Sequence, residues 1–469
     1  MIYDSILTLQ DKYRKKELTS TQLVTSLLAR IEQHDPSVNA VTLIAPDAKA
    51  QAKALDNERE AQGPRGPLHG IPILLKDNIN TKDMPTTAGS LALKDLIPPY
   101  EATLVQNLKK AGAIILGKVN LSEFAYFMSM KKMPSGFSSL KGQVKSPYHD
   151  KIDPLGSSTG SAVSVAMGYA PMAIGTETNG SIIAPSYQNG VVGIKPTVGL
   201  VSRHGIIPIS AVQDTAGPIA RTVRDAALIL EYIKGRDAYD HATLNNPNTS
   251  LDYATSYKNP IKNLRVGLLK LKGYDYKEED LKLMRELKQI YKPLGVIIED
   301  VVYETVDCPN EASMLYEFKH SLNAYLESVE GHTAMKSLEE IIAFYEADPK
   351  GRMPYGHDTL TAAQATSGDL HSEDYLQKRT AVVEAAQTFE ALYEQHDLDA
   401  MVSLHWLPYG PVLGHPSVVV PAKKLIDDAP KSFVFTATLW QEPRLIGLAY
   451  AYEQATLRFT PPKAYNTSK

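Results

Sequence analysis

The sequence predicts an α/β fold organised as one large unit, and three observations lead there. Short apolar runs bounded by turn residues alternate with stretches of helical periodicity through most of the chain. No repeat, low-complexity tract or flexible linker divides it. Its 469 residues, 43% hydrophobic and 22% charged, describe an ordinary globular chain of a length that large α/β enzymes reach as a single domain.

The elements follow in order. Leu23, Val24, Leu27, Leu28 and Ile31 recur at helical spacing behind the capping box Thr19-x-x-Gln22, and Asp35-Pro36 is expected to stop that helix. A second helix starts near Pro46, carries Ala48, Ala52 and Leu55, and ends by Gly63. Buried strands are then expected at Ile71–Leu75, Ala113–Leu116, Met172–Ile174 and Val191–Ile194, with helices at Thr103–Lys110 and Thr222–Ile233. The Asn-, Asp- and Tyr-rich stretch Gly235–Pro260 lacks periodicity and reads as a surface excursion. Alternation resumes with strand Arg265–Leu269, helix Glu278–Tyr291 and strand Val296–Ile298. A long helix from Glu373 to about Glu394 leads into the apolar run Ala400–Leu404, and a last helix near Leu445–Gln454 precedes Pro461-Pro462.

Composition excludes several function classes. A net charge of −4 offers no electrostatic footprint for nucleic acid. The single cysteine, Cys308, rules out an intrachain disulfide and any cysteine-built metal site, and reads as an inert thiol. The N-terminus has no apolar core behind Lys12, Arg14, Lys15 and Lys16, so no targeting signal is expected and the cytoplasm is the expected compartment. The run from Pro154 to Thr176 carries no charge and is long enough to span a bilayer. Its density of Ser, Thr and Gly is too unfavourable for insertion, so no membrane association is expected.

Three motif matches are weak. Gly112-x-x-x-x-Gly117-Lys118 resembles a phosphate-binding loop, but Val119 stands where Ser or Thr should be and the interior reads as strand. Ser138-x-x-Lys141 lacks the companion motifs of penicillin-recognising serine enzymes. Gly156-x-Ser158-x-Gly160 fits the nucleophile elbow of an α/β-hydrolase-type esterase, with His405 or His415 as the late base. An elbow needs an apolar strand before it, whereas His149–Leu155 reads as loop.

Three further stretches carry chemistry-bearing residues. Gly70–Asn78 is an apolar strand that ends in Lys76; Gly156–Ala162 holds the pair Ser157-Ser158; Gly175–Ile182 holds Ser181 in a small-residue loop. Together with Asp214-Thr215-x-Gly217-Pro218 and Arg221–Ala226, they give the region from His69 to Ala226 a pattern that resembles the amidase signature family nearly throughout. The stretches Tyr316–Lys319, Leu322–Leu326 and Leu448–Thr456 are similar to its peptide-amidase-like branch.

The resemblance implies a single domain, residues 1–469, with a mixed twisted sheet sandwiched by helices. It would comprise a helical N-terminal part at 1–66, the signature core at 67–235, a surface excursion at 236–262 and a C-terminal α/β part at 263–469 shaping the substrate pocket. It also implies hydrolysis of a linear carboxamide, C-terminal peptide amides among the candidates, through an acyl-enzyme on Ser181. Lys76 would be general base and acid, and Ser157, preceded by a cis peptide bond, the relay. Amide hydrolysis needs an activated nucleophile, and burial is a means of keeping a lysine neutral enough to serve as its base. Backbone amides of Thr178, Asn179, Gly180 and Ser181 would form the oxyanion hole, where one lost donor typically costs about 3–4 kcal/mol. No metal or organic cofactor is required, and the expected partner is a small-molecule or peptide amide; oligomeric state is not legible.

The departures from the family pattern bear on substrate. Thr159 and Asn179 replace smaller or acidic residues, Lys141–Val144 replaces a commoner Gly-Gly-Gln-Thr, and Met128–Met133 is basic and Met-rich. That last segment either favours extended apolar or anionic substrates or is adaptable loop packing with solvated lysines. A glutaminase subunit of a tRNA-dependent amidotransferase shares the signature, although the stretch Glu317–Leu326 speaks against it. A binding protein that keeps the fold without turnover is the third alternative.

Overall fold

A computed structural model describes residues 1–423 and 430–463. Its frame is an eleven-stranded mixed sheet. From one edge to the other the strands run Val41–Ile44, Ile114–Val119, Pro72–Lys76, Met172–Glu177, Thr215–Ala220, Val192–Lys195, Ser417–Pro421, Ser432–Thr436, Ala400–Ser403, Arg265–Leu271 and Ile297–Tyr303. The Pro72–Lys76 strand is parallel to both neighbours, while Thr215–Ala220 runs antiparallel between two others. Strands buried on both faces need continuous apolar runs, which is why Ile73, Leu74, Leu75, Ile114 and Ile115 were legible as strand residues.

The capping box forms as expected, with Gln22 N–H donating to Thr19 Oγ1 and Thr19 N–H to Gln22 Oε1. The helix it opens, Ser20–Val38, nevertheless continues through Pro36, contrary to expectation. Pro36 falls in the last turn, and the Asp35 carboxylate accepts from Ala40 and Val41 N–H as the chain turns into the first strand. The excursion expected at residues 236–262 is only partly on the surface. Its 3₁₀ turn Tyr253–Lys258 packs on the helices Val223–Ile233 and Glu442–Thr456, and Tyr253 is fully buried. A Tyr side chain at one end of an aperiodic segment anchors it without leaving a periodic trace.

The charge-free run becomes the helix Thr159–Ala166 and all but the last residue of the interior strand Met172–Glu177, every residue of both being buried. Gly160 is required there, because a Cβ would stand 2.3 Å from Asn120 O and 2.5 Å from Ala40 O. No described helix is long and apolar enough to cross a membrane.

Candidate active site

Parallel strands leave their carboxyl ends as natural sites for ligands, and the Pro72–Lys76 and Met172–Glu177 strands end side by side with Leu75 in register with Ile174. Lys76 closes the first strand and is fully buried. Its Nζ lies 2.7 Å from Ser157 Oγ, 2.9 Å from Thr176 Oγ1 and 3.2 Å from Thr176 O. Burial pulls its pKa down to about 7, against the opposing influence of the Asp214 and Glu177 carboxylates. The peptide bond joining Gly156 to Ser157 is cis, as the resemblance implies.

Ser181 sits in the turn that follows the second strand, beside Ser157 in the wall of a cleft of about 230 Å³. Ser158 N–H donates to Ser181 O at 3.0 Å, which ties the two serine loops together. The turn is shaped from behind by Glu177. One carboxylate oxygen accepts from Gly180 N–H at 2.8 Å, and the other accepts from Ile182 and Ile183 N–H at 2.7 and 2.9 Å. Gly180 has φ +82°, a left-handed conformation that favours glycine. Its amide, expected among the oxyanion donors, is therefore already engaged. The amides of Thr178, Asn179 and Ser181 have no acceptor among the described residues. Thr178 Oγ1 donates to Asp214 at 2.5 Å, and Asp214 also accepts from Ile209 and Ser210 N–H.

Sequence reasoning missed Thr176, Asn78 and Glu177 as parts of this site. Asn78 Nδ2 donates to Thr176 Oγ1 at 3.0 Å, so one threonine hydroxyl receives both the lysine and the amide. A polar residue just beyond Lys76 and two at the end of the Met172–Glu177 strand were the only available signal.

The weak motifs resolve into structure. Ser158 is fully buried, and its hydroxyl donates to Thr176 O and accepts from Thr176 N–H. His415 is held by Glu390, and His405 packs edge-on against Tyr274. Lys118 is a strand residue whose Nζ donates to Ile79 O and Thr86 Oγ1. Ser138 donates to Asn120 Oδ1 and accepts from Lys141 N–H.

A buried amine against a hydroxyl, beside a second serine in a turn with free amides, is suited to acyl transfer. The chain belongs to the Amidase family, whose pattern matches residues 22–403, and it is an amide hydrolase. It is similar over 99% of both chains to the crystal structure of the native peptide amidase from Stenotrophomonas maltophilia, with 40% identity and a TM-score of 0.92. An Arabidopsis thaliana protein named "Probable amidase" is 40% identical over 96% of this chain and 90% of its own length. A glutamyl-tRNA(Gln) amidotransferase chain of Geobacter metallireducens is 38% identical over 63% of this chain and 60% of its own length.

Proposed function

We propose that this chain hydrolyses a carboxamide to the carboxylate and ammonia or an amine through an acyl-enzyme on Ser181, and that C-terminal peptide amides are among its substrates. The observation that carries the reading is the 2.7 Å contact between a fully buried Lys76 and Ser157. In the neutral amine, two N–H bonds satisfy the carbonyl and hydroxyl of Thr176, which leaves the nitrogen lone pair directed at Ser157 Oγ. Ser157 passes its proton to Lys76 and takes one from Ser181, a relay suited to a hydroxyl that donates and accepts at once. Ser181 Oγ attacks the carbonyl carbon, and the resulting oxyanion is held by free amides of the Thr178–Ser181 turn, with Gly180 N–H serving to fix the turn instead. Lys76 then returns the proton to the leaving nitrogen, and water repeats the sequence on the ester to release the acid. The near-complete overlap with a peptide amidase supports the substrate class.

The test is treatment with a serine-directed phosphonate and mapping of the adduct. Labelling is expected on Ser181 and is expected to vanish, together with amide hydrolysis, in Ser181→Ala. An adduct on Ser158 with Ser181 unmodified would replace this reading with the esterase one. The match to the amidotransferase chain keeps a second reading in view, and ammonia release from glutamine only in the presence of partner chains would favour it.

A further inference from the structure

The cleft that holds Ser181 is notable for what lines it. Tyr126, Phe127, Met130, Ile209, Met314 and Trp406 form much of its wall, and none of its described lining residues is Asp, Glu, Lys, Arg or His. The basic, Met-rich segment divides at this point. Met128 and Met133 are buried in the core beneath the helix Asn310–Ser328, Lys131 and Lys132 are exposed away from the lining, and Met130 alone reaches the cleft. Met130 is pinned there by its N–H, which donates to Thr359 Oγ1 at 2.9 Å. Met314 also lines the cleft, from the helix Asn310–Ser328, whose sequence resembles the peptide-amidase-like branch.

Charged groups cluster instead in a second cavity that shares Ala125, Thr178 and Ile209 with the first. Arg203 and Asp240 pair with each other, whereas Asp214 is held by neutral donors. The Arg203 Nε donates to Asp240 at 2.8 Å, and its guanidinium also donates to Ala211 O; Asp214 is filled by Thr178, Ile209 and Ser210. Beside Ser181, the described lining offers a substrate carboxylate no guanidinium or amine and a substrate ammonium no carboxylate; in the neighbouring cavity Arg203 is taken by Asp240, and the Asp214 oxygens by a hydroxyl and two amides.

We propose that the acyl group accepted beside Ser181 is uncharged and apolar, with Met130, Met314 and Trp406 as the residues that set this preference. The inference rests on the amidase reading and adds its substrate class. Thioether side chains adapt to differing apolar shapes, so the pocket tolerates variation in size while it rejects charge. An ionised group taken into an apolar cleft without a partner loses its hydration with nothing in return.

The experiment compares kcat/KM for N-acetyl-leucinamide, N-acetyl-aspartic acid α-amide and N-acetyl-lysinamide, which share one reacting group. The leucinamide is expected to exceed both charged amides by about 100-fold or more. Met314→Lys is expected to narrow the gap for the aspartic derivative at least about 10-fold while leaving the lysine derivative disfavoured. Met130→Lys, on a separate segment, provides the same test should Met314→Lys fail to fold. Equal rates on the three amides with all hydrolysis lost in Ser181→Ala would overturn this inference and leave the amidase reading intact. Unaltered ratios in folded lysine variants would also overturn it. No hydrolysis of any of the three would remove both.

Discussion

Lys76, Lys118 and Lys195 are all fully buried, and burial lowers the pKa of each, to about 7, 8 and 8. Burial alone therefore does not distinguish a base. Lys118 and Lys195 spend their amines on backbone carbonyls that knit loops to the sheet, whereas Lys76 faces a serine at the cleft. Lys76, Ser157 and Ser181 were singled out through the resemblance to the amidase signature family, because a lysine ending an apolar strand and serines in small-residue loops are each ordinary features when read alone. Thr176 was not, because its role arises only when strands about a hundred residues apart in sequence become neighbours. Depressed ionisation of Lys76 ties rate to stability. Between about pH 7 and the unfolded value near 10.4 the unfolded chain holds a proton that the folded one lacks, so this group makes the protein more stable as pH rises. Its cost is fully present below pH 7, and about 4–5 kcal/mol is recovered across the window. Lys76→Met is accordingly expected to be more stable than the parent near pH 7, with the difference shrinking towards pH 10, as read by denaturant melts at several pH values. The same variant should lose at least about 100-fold in kcat. The parent rate should rise with pH through about 7, the ionisation at which the amine becomes neutral. A parent profile flat across that value would argue against a lysine base.

At the level of elements, the turn Thr178–Ile182 shows how a single acid positions a loop. Glu177 ends a strand and looks inward, and its two oxygens collect three amides of the following turn. Glu177→Gln replaces one acceptor oxygen with an NH₂ that cannot accept, so at least one buried amide is left unpaired, at a cost of about 1–3 kcal/mol. Because the turn carries Ser181, the expected effect is a 10- to 100-fold fall in kcat with KM changed less than about 2-fold, together with a lower melting temperature. A variant that melts lower at full kcat would make Glu177 structural only. Several elements were readable to within a residue or two, such as the helices Thr103–Lys110 and Glu278–Tyr291, because each presents a clean apolar stripe. The strand Thr215–Ala220 was not, since Gly217 and Pro218 stand in its middle. It is held from both sides by antiparallel partners, a tertiary effect that overrides local preference.

Across the whole molecule, the sheet passes without a break from the signature region into the C-terminal half. Val192–Lys195 pairs antiparallel with Ser417–Pro421, with Gly193 opposite Val419 and Ser417 opposite Lys195. The cleft is divided in the same way: Ser157 and Ser181 come from the first half, Met314 and Trp406 from the second. We propose that the described residues form one folding unit, with the boundary near residue 235 marking a change in sequence pattern and not a structural joint. A fragment of residues 1–235 would expose the edge of the Val192–Lys195 strand and the apolar faces of Val192 and Ile194, which are fully buried in the intact chain. Such an unpaired apolar edge is a template for aggregation. The fragment is expected to aggregate or to melt without a cooperative transition, although it holds Lys76, Ser157 and Ser181, and to hydrolyse no amide. The intact chain is expected to unfold in one transition by near-ultraviolet circular dichroism and by calorimetry alike. A soluble, monomeric fragment with its own cooperative melt would place a domain boundary inside this sheet and make the C-terminal half an addition to a self-sufficient catalytic core.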